Sequence, residues 1–183
     1  MTDHLIEKTI STKSIFKGKI IDLEVQDVVL PDGQESKREI IHHPGAVAVV
    51  AFTDEGKLIL VKQYRKALEK VIAEIPAGKL EVGEDPLECA RRELEEETGV
   101  KAEELSKLHS FYTSPGFANE IVYVYLAEGL KVGTLNMDED EFVERIDVTL
   151  EEAKQMIATE EIHDAKTIYA IQYWELIEAK AHE

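Results

Sequence analysis

One cysteine, Cys89, stands in the 183 residues, so neither an internal disulfide nor a cysteine-built zinc site can form. No apolar run approaches the roughly 18 residues that a membrane-crossing helix needs. The first ten residues, MTDHLIEKTI, lack the apolar core of a secretory signal. Positive charge is scarce: 21 lysines and arginines face 38 acids, a net charge of −17. That balance excludes a broad electrostatic grip on nucleic acid or an anionic membrane. Repeats and low-complexity stretches are missing as well. What remains is 44% hydrophobic, enough for the core of one domain with a small appendage. A cytoplasmic protein without nucleic-acid or membrane partners is expected.

The acids are concentrated. Residues 81–97 hold eight of them against Arg91 and Arg92, and residues 138–152 hold eight more against Arg145. On composition alone, two solvated acidic faces are the simpler reading. Spacing within each segment decides whether it stands.

Residues 9–42 read as short strands, with Pro31-Asp32-Gly33 turning between VQDVVL and a segment ending REIIHH. This small β-rich segment, residues 1–43, precedes a larger domain at 44–183. There AVAVVAF suits a buried strand, and Thr53-Asp54-Glu55-Gly56 turns into KLILVKQY, predicting a hairpin. HSFYTS (109–114), EIVYVYLAE (120–128) and FVERIDVT (142–149) are further strand candidates. Helices are predicted at 86–98, 150–160 and 165–181, the last with Ile168, Ile171, Trp174 and Leu176 at helical spacing. Strands mixed with helices predict a sheet covered by helices, in the α+β class.

The helix at 86–98 is closely specified. Asp85 suits the N-cap, Pro86 the first position, Glu88 a capping box with Asp85, and Gly99 the stop. Leu87, Ala90 and Leu94 form one stripe that packs inward. Glu93 and Glu97 share an edge of that stripe, Glu96 faces away within reach of Arg92, and Glu95 lies on the opposite, solvated flank. Partly buried carboxylates at about 4 Å repel by ~4 kcal/mol at an effective dielectric near 20. Nothing near in sequence offsets Glu93 and Glu97. A hard divalent cation would, because carboxylate oxygens are its preferred ligands. The loop from Ile75-Pro76-Ala77-Gly78 to Gly83 folds back on the helix and adds backbone carbonyls, such as that of Ala77, as donors.

GKLEVGEDPLECARRELEEETGV (78–100) resembles the Nudix box, with Gly78, Glu84, Arg92, Glu93, Leu94, Glu96, Glu97, Gly99 and Val100 at every specified position. The resemblance implies a Nudix fold, a mixed β-sheet sandwiched between α-helices. It also implies hydrolysis of a nucleoside diphosphate linked to another group. Two or three divalent ions, Mg²⁺ or Mn²⁺, would be held by Glu93, Glu96 and Glu97 with the Ala77 carbonyl. Glu97 counts also among the catalytic residues, while Gly78, Glu84, Arg92 and Gly99 frame the motif. An acidic chain then binds an anionic substrate through metals.

The flanks resemble the ADP-ribose pyrophosphatase subgroup. Pro115 follows Gly99 by 16 residues in SFYTSPGFANE, and QYRKALEKVIAEIPAGKLE and REIIHHPGAVAVV are similar to that subgroup too. By this likeness Arg38, Arg65, Pro115 and Gly116 contact substrate, and ADP-ribose is cut to AMP and ribose 5-phosphate. The alternatives are another nucleotide sugar such as GDP-mannose, or a non-catalytic nucleotide-sugar sensor. A glutamate of KVGTLNMDEDEFVE, Glu139 or Glu141, is the implied general base, on a loop given slack by Gly129 and Gly133. A homodimer exchanging the N-terminal segment is implied as well, with Phe16 placed to stack on adenine. Cys89 reads as a buried helix residue, and His42, His43 and His163 as structural.

Overall fold

The computed structural model describes residues 2–136 and 142–181, the side chain of 181 excepted. It divides into two compact units, residues 1–45 with 111–121, and residues 46–110 with 122–183.

The first unit is an antiparallel sheet in the order β1 (Lys8–Lys17), β2 (Asp22–Val29) and β3 (Glu35–His42). The β2–β3 turn uses the residues the sequence singles out. Gly33, at φ +87°, donates to the Leu30 carbonyl, and the Asp32 side chain accepts the Gln34 N–H. Residues 111–121 return to this unit, bridging Ala118 to Ile41 in parallel and taking the Ile41 N–H on the Phe117 carbonyl at 2.7 Å.

The second unit contains two sheets. One is mixed, with β4 (Ala46–Ala51) antiparallel to β7 (Ala77–Lys79) and parallel to β9 (Ile121–Val132), followed outward by β8 (Val100–Tyr112); the strand ends at 111–112 and 121 are counted with the first unit. The other is antiparallel, with β5 (Leu58–Arg65) between β6 (Lys70–Glu74) and β10 (Val143–Val148). The predicted β4–β5 hairpin is therefore corrected. The chain turns at residues 53–57, but only the Phe52–Leu58 bridge joins the strands before they part into different sheets. Both strands are apolar enough to be buried on two faces, and such strands need covering layers rather than each other.

Those layers are helical. Alternate residues of β4 (Val47, Val49, Ala51) join Cys89, Ala90 and Leu94 of α1 (Pro86–Thr98) in the core. Burying a side chain such as Leu94 contributes roughly 2–3 kcal/mol. Two further helices, α2 (Leu150–Ala158) and α3 (Ala165–Ala181), pack against each other. A capping box starts α2, with the Thr149 side chain accepting the Glu152 N–H and the Glu152 carboxylate accepting the Thr149 N–H. The buried stripe of α3 is Thr167, Ala170, Ile171 and Trp174, whose ring meets Phe52 edge-on at 5.0 Å. Leu176, expected in that stripe, is exposed, while Ile171 and Trp174 of the predicted set are buried.

Candidate active site

Local chemistry fixes α1 at both ends. The Asp85 carboxylate accepts the Leu87 N–H at 2.9 Å, Pro86 opens the helix, and Gly99 ends it in the left-handed region at φ 69°. Glu88 lies near Arg91 instead of closing a capping box. Arg145 of β10 donates to the Thr98 carbonyl at 3.1 Å, placing a cation at the negative end of the helix.

Along the inner edge the structure buries Glu93 and Glu97, 8% and 3% exposed. Glu97 Oε2 accepts the Ala77 N–H at 2.9 Å, tying the helix to β7. The Glu93 carboxylate lies in the space that a Cβ on Gly78 would fill. Arg92 donates to Glu96 at 2.9 Å and, beyond the sequence expectation, to Glu93 at 2.8 Å, while its Nε reaches Glu84 at 3.0 Å. One guanidinium thus compensates three carboxylates. That hydrogen bond from Arg92 holds the Glu84 carboxyl down to about 2, with the Glu81 N–H adding to it. Burial beside Glu84 pushes the Cys89 thiol up to about 12, so this cysteine is inert. Glu95 is not merely solvated: it accepts the Thr134 N–H at 3.0 Å and faces Lys101.

Among the described residues, no three His, Cys, Asp or Glu side chains already converge as a metal cluster. Arg92 reaches Glu84, Glu93 and Glu96 and draws them to itself. The donor set still fits a hard divalent cation. It offers three carboxylates on one helix, two of them buried, beside β7, where Gly78 leaves room for a carboxylate group.

The remaining predicted residues divide between the units. Arg65, at the end of β5, gives its Nε to Glu74 at 2.5 Å in the second unit. Burial pulls the Arg65 pKa down, but the Glu74 hydrogen bond and the charges of Glu74, Glu97 and Asp164 outweigh it and raise it. Arg38, Pro115 and Gly116 belong to the first unit. Arg38 grips Glu7 bidentately at 2.6 and 2.8 Å, and Pro115 and Gly116 form the turn closed by the Phe117 N–H on the Ser114 carbonyl. Glu139 and Glu141 lie outside the described residues. The chain on either side of them is fixed: the Asn136 N–H meets the Glu96 carbonyl at 3.4 Å, and Val143 pairs with Gln63. Glu74, Asp164 and Lys166 escaped the sequence reading. An acid inside the apolar run VIAEIP was the available signal.

The NUDIX domain profile matches residues 42–171, and a nucleoside diphosphate sugar hydrolase N-terminal domain matches residues 7–41. The chain belongs to the Nudix family. An ADP-ribose pyrophosphatase of Bacillus subtilis is 62% identical over 96% of both chains. A methanol dehydrogenase activator of Bacillus methanolicus is 58% identical over 97% of both. A GDP-mannose pyrophosphatase of an Enterobacter species is more distant, 31% identical over 76% of this chain and 78% of its own. In fold, this Nudix chain is similar to a crystal structure of an ADP compounds hydrolase, with a TM-score of 0.83, 21% identity and 95% coverage of each. It is a Nudix hydrolase of the α+β class, and no helix among its described residues is long and apolar enough to cross a membrane.

Proposed function

We propose that this hydrolase cleaves the diphosphate of ADP-ribose, giving AMP and ribose 5-phosphate, with Mg²⁺ or Mn²⁺ held by Glu93, Glu96, Glu97 and the Ala77 carbonyl. One observation carries the reading: two carboxylates buried side by side on α1, beside strand β7, whose Gly78 leaves room for one of them. Arg92 and the Ala77 N–H hold the two in place, and a divalent cation between them and the substrate would offset the negative charge that remains. Two or three divalent ions held there would neutralise the diphosphate and lower the pKa of an attacking water.

The chain's own residues do the rest. Glu139 or Glu141 takes the proton of the water that attacks phosphorus, and the bridging oxygen leaves with the other phosphate. Arg65 offers a rigid fork to a phosphate, and Arg38, Pro115 and Gly116 contact the remainder of the substrate. Glu84 and Arg92 lock the loop onto α1, while Gly78 and Gly99 set its approach and end. The near full-length likeness to an ADP-ribose pyrophosphatase, twice the identity found with the GDP-mannose enzyme, supports the choice of substrate.

The same proposal holds the protein to be a cytoplasmic homodimer, with residues 1–43 as the dimerisation segment and 44–183 as the hydrolase domain. Ile6, Ile10, Ile15 and Phe16 of the first unit are exposed, which supports a second copy as their cover. Sedimentation at micromolar concentration should give twice the chain mass; a monomer refutes this part.

Incubation with ADP-ribose, GDP-mannose and a nucleoside triphosphate in ¹⁸O-water, followed by product separation, tests the activity. AMP and ribose 5-phosphate are expected, with label on one of them. Preference for GDP-mannose overturns the substrate, and binding without turnover makes the protein a sensor.

A further inference from the structure

Glu74 ends β6 at 4% exposure, and its two oxygens are divided between two cations. Oε2 accepts from Arg65 Nε at 2.5 Å, and Oε1 accepts from Lys166 Nζ of α3. Lys166 also donates to Asp164 Oδ1 at 2.9 Å, and that same oxygen accepts the Thr167 N–H at the start of α3. The next residue of the strand is held too, since the Ile75 N–H meets Thr167 Oγ1 at 3.0 Å. Asp164 Oδ2 is buried and has no hydrogen-bond partner among the described residues.

A buried ionic cluster is a weak way to stabilise a fold, since apolar side chains of similar volume serve as well or better. Stapling α3 to β6 would need only Lys166 and Glu74. Arg65 adds something else. In the β5–β6 register Arg65 opposes Lys70 and Glu74 opposes Val61, so the two side chains share a face and meet along it. Glu74 takes only the Nε of the guanidinium, and among the described residues its terminal nitrogens have no hydrogen-bond partner. A guanidinium held by one edge keeps its two-pronged end available for a phosphate and fixed in direction.

We propose that Glu74, set in turn by Lys166, is a positioning residue that aims the terminal nitrogens of Arg65 at the substrate diphosphate. The proposal rests on the assignment of Arg65 to phosphate binding above. It makes α3, far in sequence from the carboxylate helix, part of the substrate-recognition apparatus.

A double-mutant cycle tests it. Wild type, Glu74→Gln, Arg65→Ala and the double variant are compared by kcat and KM for ADP-ribose at saturating Mg²⁺, with melting curves for each. Losing a hydrogen bond between charged groups predicts a drop in kcat/KM on the order of ten-fold for Glu74→Gln. The same change made in Arg65→Ala should cost less than about two-fold, because the residue it acts through is gone. Equal losses in both backgrounds, the mark of a purely structural role, overturn the proposal, as does full activity in Glu74→Gln. Lys166→Met, run through the same two backgrounds, carries the identical expectation if Glu74→Gln fails to fold. An inactive wild type overturns the functional reading and this inference with it; an active one with additive losses overturns this inference alone.

Discussion

The carboxylate of Glu93 fills the space that any side chain on Gly78 would occupy. The glycine is required there by proximity, since its φ lies outside the left-handed region. The obstructing atoms are the end of a flexible side chain, so the backbone need not move to admit a methyl group. Gly78→Ala is therefore expected to fold with a near wild-type melting temperature while its Glu93 carboxylate is displaced. Metal affinity should fall by about 10–100-fold, the range seen when ligand-orienting groups are lost. Titration with Mn²⁺ followed by electron paramagnetic resonance, beside a melting curve, reads both; unchanged Mn²⁺ affinity would detach Glu93 from the metal.

Charge removal on α1 separates ligand from scaffold. Glu97→Gln keeps an oxygen that accepts the Ala77 N–H, so the tie between α1 and β7 survives. Glu93→Gln leaves Arg92 with Glu84 and Glu96. Both variants should fold and lose at least about a hundredfold in kcat, as for lost transition-state charge stabilisation. Near wild-type turnover in either one under saturating Mg²⁺ would refute its role.

The helix stop offers a test of stability free of the chemistry. Gly99 holds φ 69°, a region that costs an alanine about 1 kcal/mol. A Cβ there meets only ordinary contacts with Leu135. Gly99→Ala should lower the melting temperature by about 2–4 °C. No change would mean that the end of α1 relaxes without loss.

Much of this helix was legible because its signals are local. Asp85, Pro86 and Gly99 act on backbone groups within four residues, and the Glu93–Glu97 edge follows from helical spacing alone. Partners set by topology were not legible. Whether β4 pairs with β5 depends on which sheet each joins, and β4 takes β9, some 75 residues on, as its parallel neighbour. Residues 101–108, KAEELSKL, are strong helix formers, yet they lie in β8 beside β9, where tertiary context overrides propensity. The pairing of Glu74 with Lys166 spans 92 positions, and only the acid stranded in an apolar strand hinted at it.

The pH dependence of stability follows from Glu84. Its folded carboxyl is held at about 2, below the ordinary 4.5, mainly by the Arg92 hydrogen bond. A depressed pKa stabilises the fold above the unfolded value, and that contribution fades as pH falls from about 4.5 toward about 2. Discounted for solvent screening, it is worth about 1–2 kcal/mol near neutral pH. Urea midpoints should therefore separate wild type from Glu84→Gln at neutral pH and converge as the solution is acidified. A constant gap would place the stabilising charge elsewhere.

Metal removal should abolish turnover while leaving the fold in place. Arg92 already compensates Glu84, Glu93 and Glu96, and the Ala77 N–H engages Glu97, so the carboxylates have partners of the chain's own. Chelation by EDTA is then expected to leave far-ultraviolet circular dichroism unchanged. Ions that bind only the folded chain add stability by mass action, about 2.7 kcal/mol at a hundred times their dissociation constant. Melting temperatures should accordingly climb with Mg²⁺ in wild type and climb less in Glu97→Gln. Equal slopes in the two proteins would show that the stabilising ion binds away from α1, and with it the assignment of Glu97 would fail.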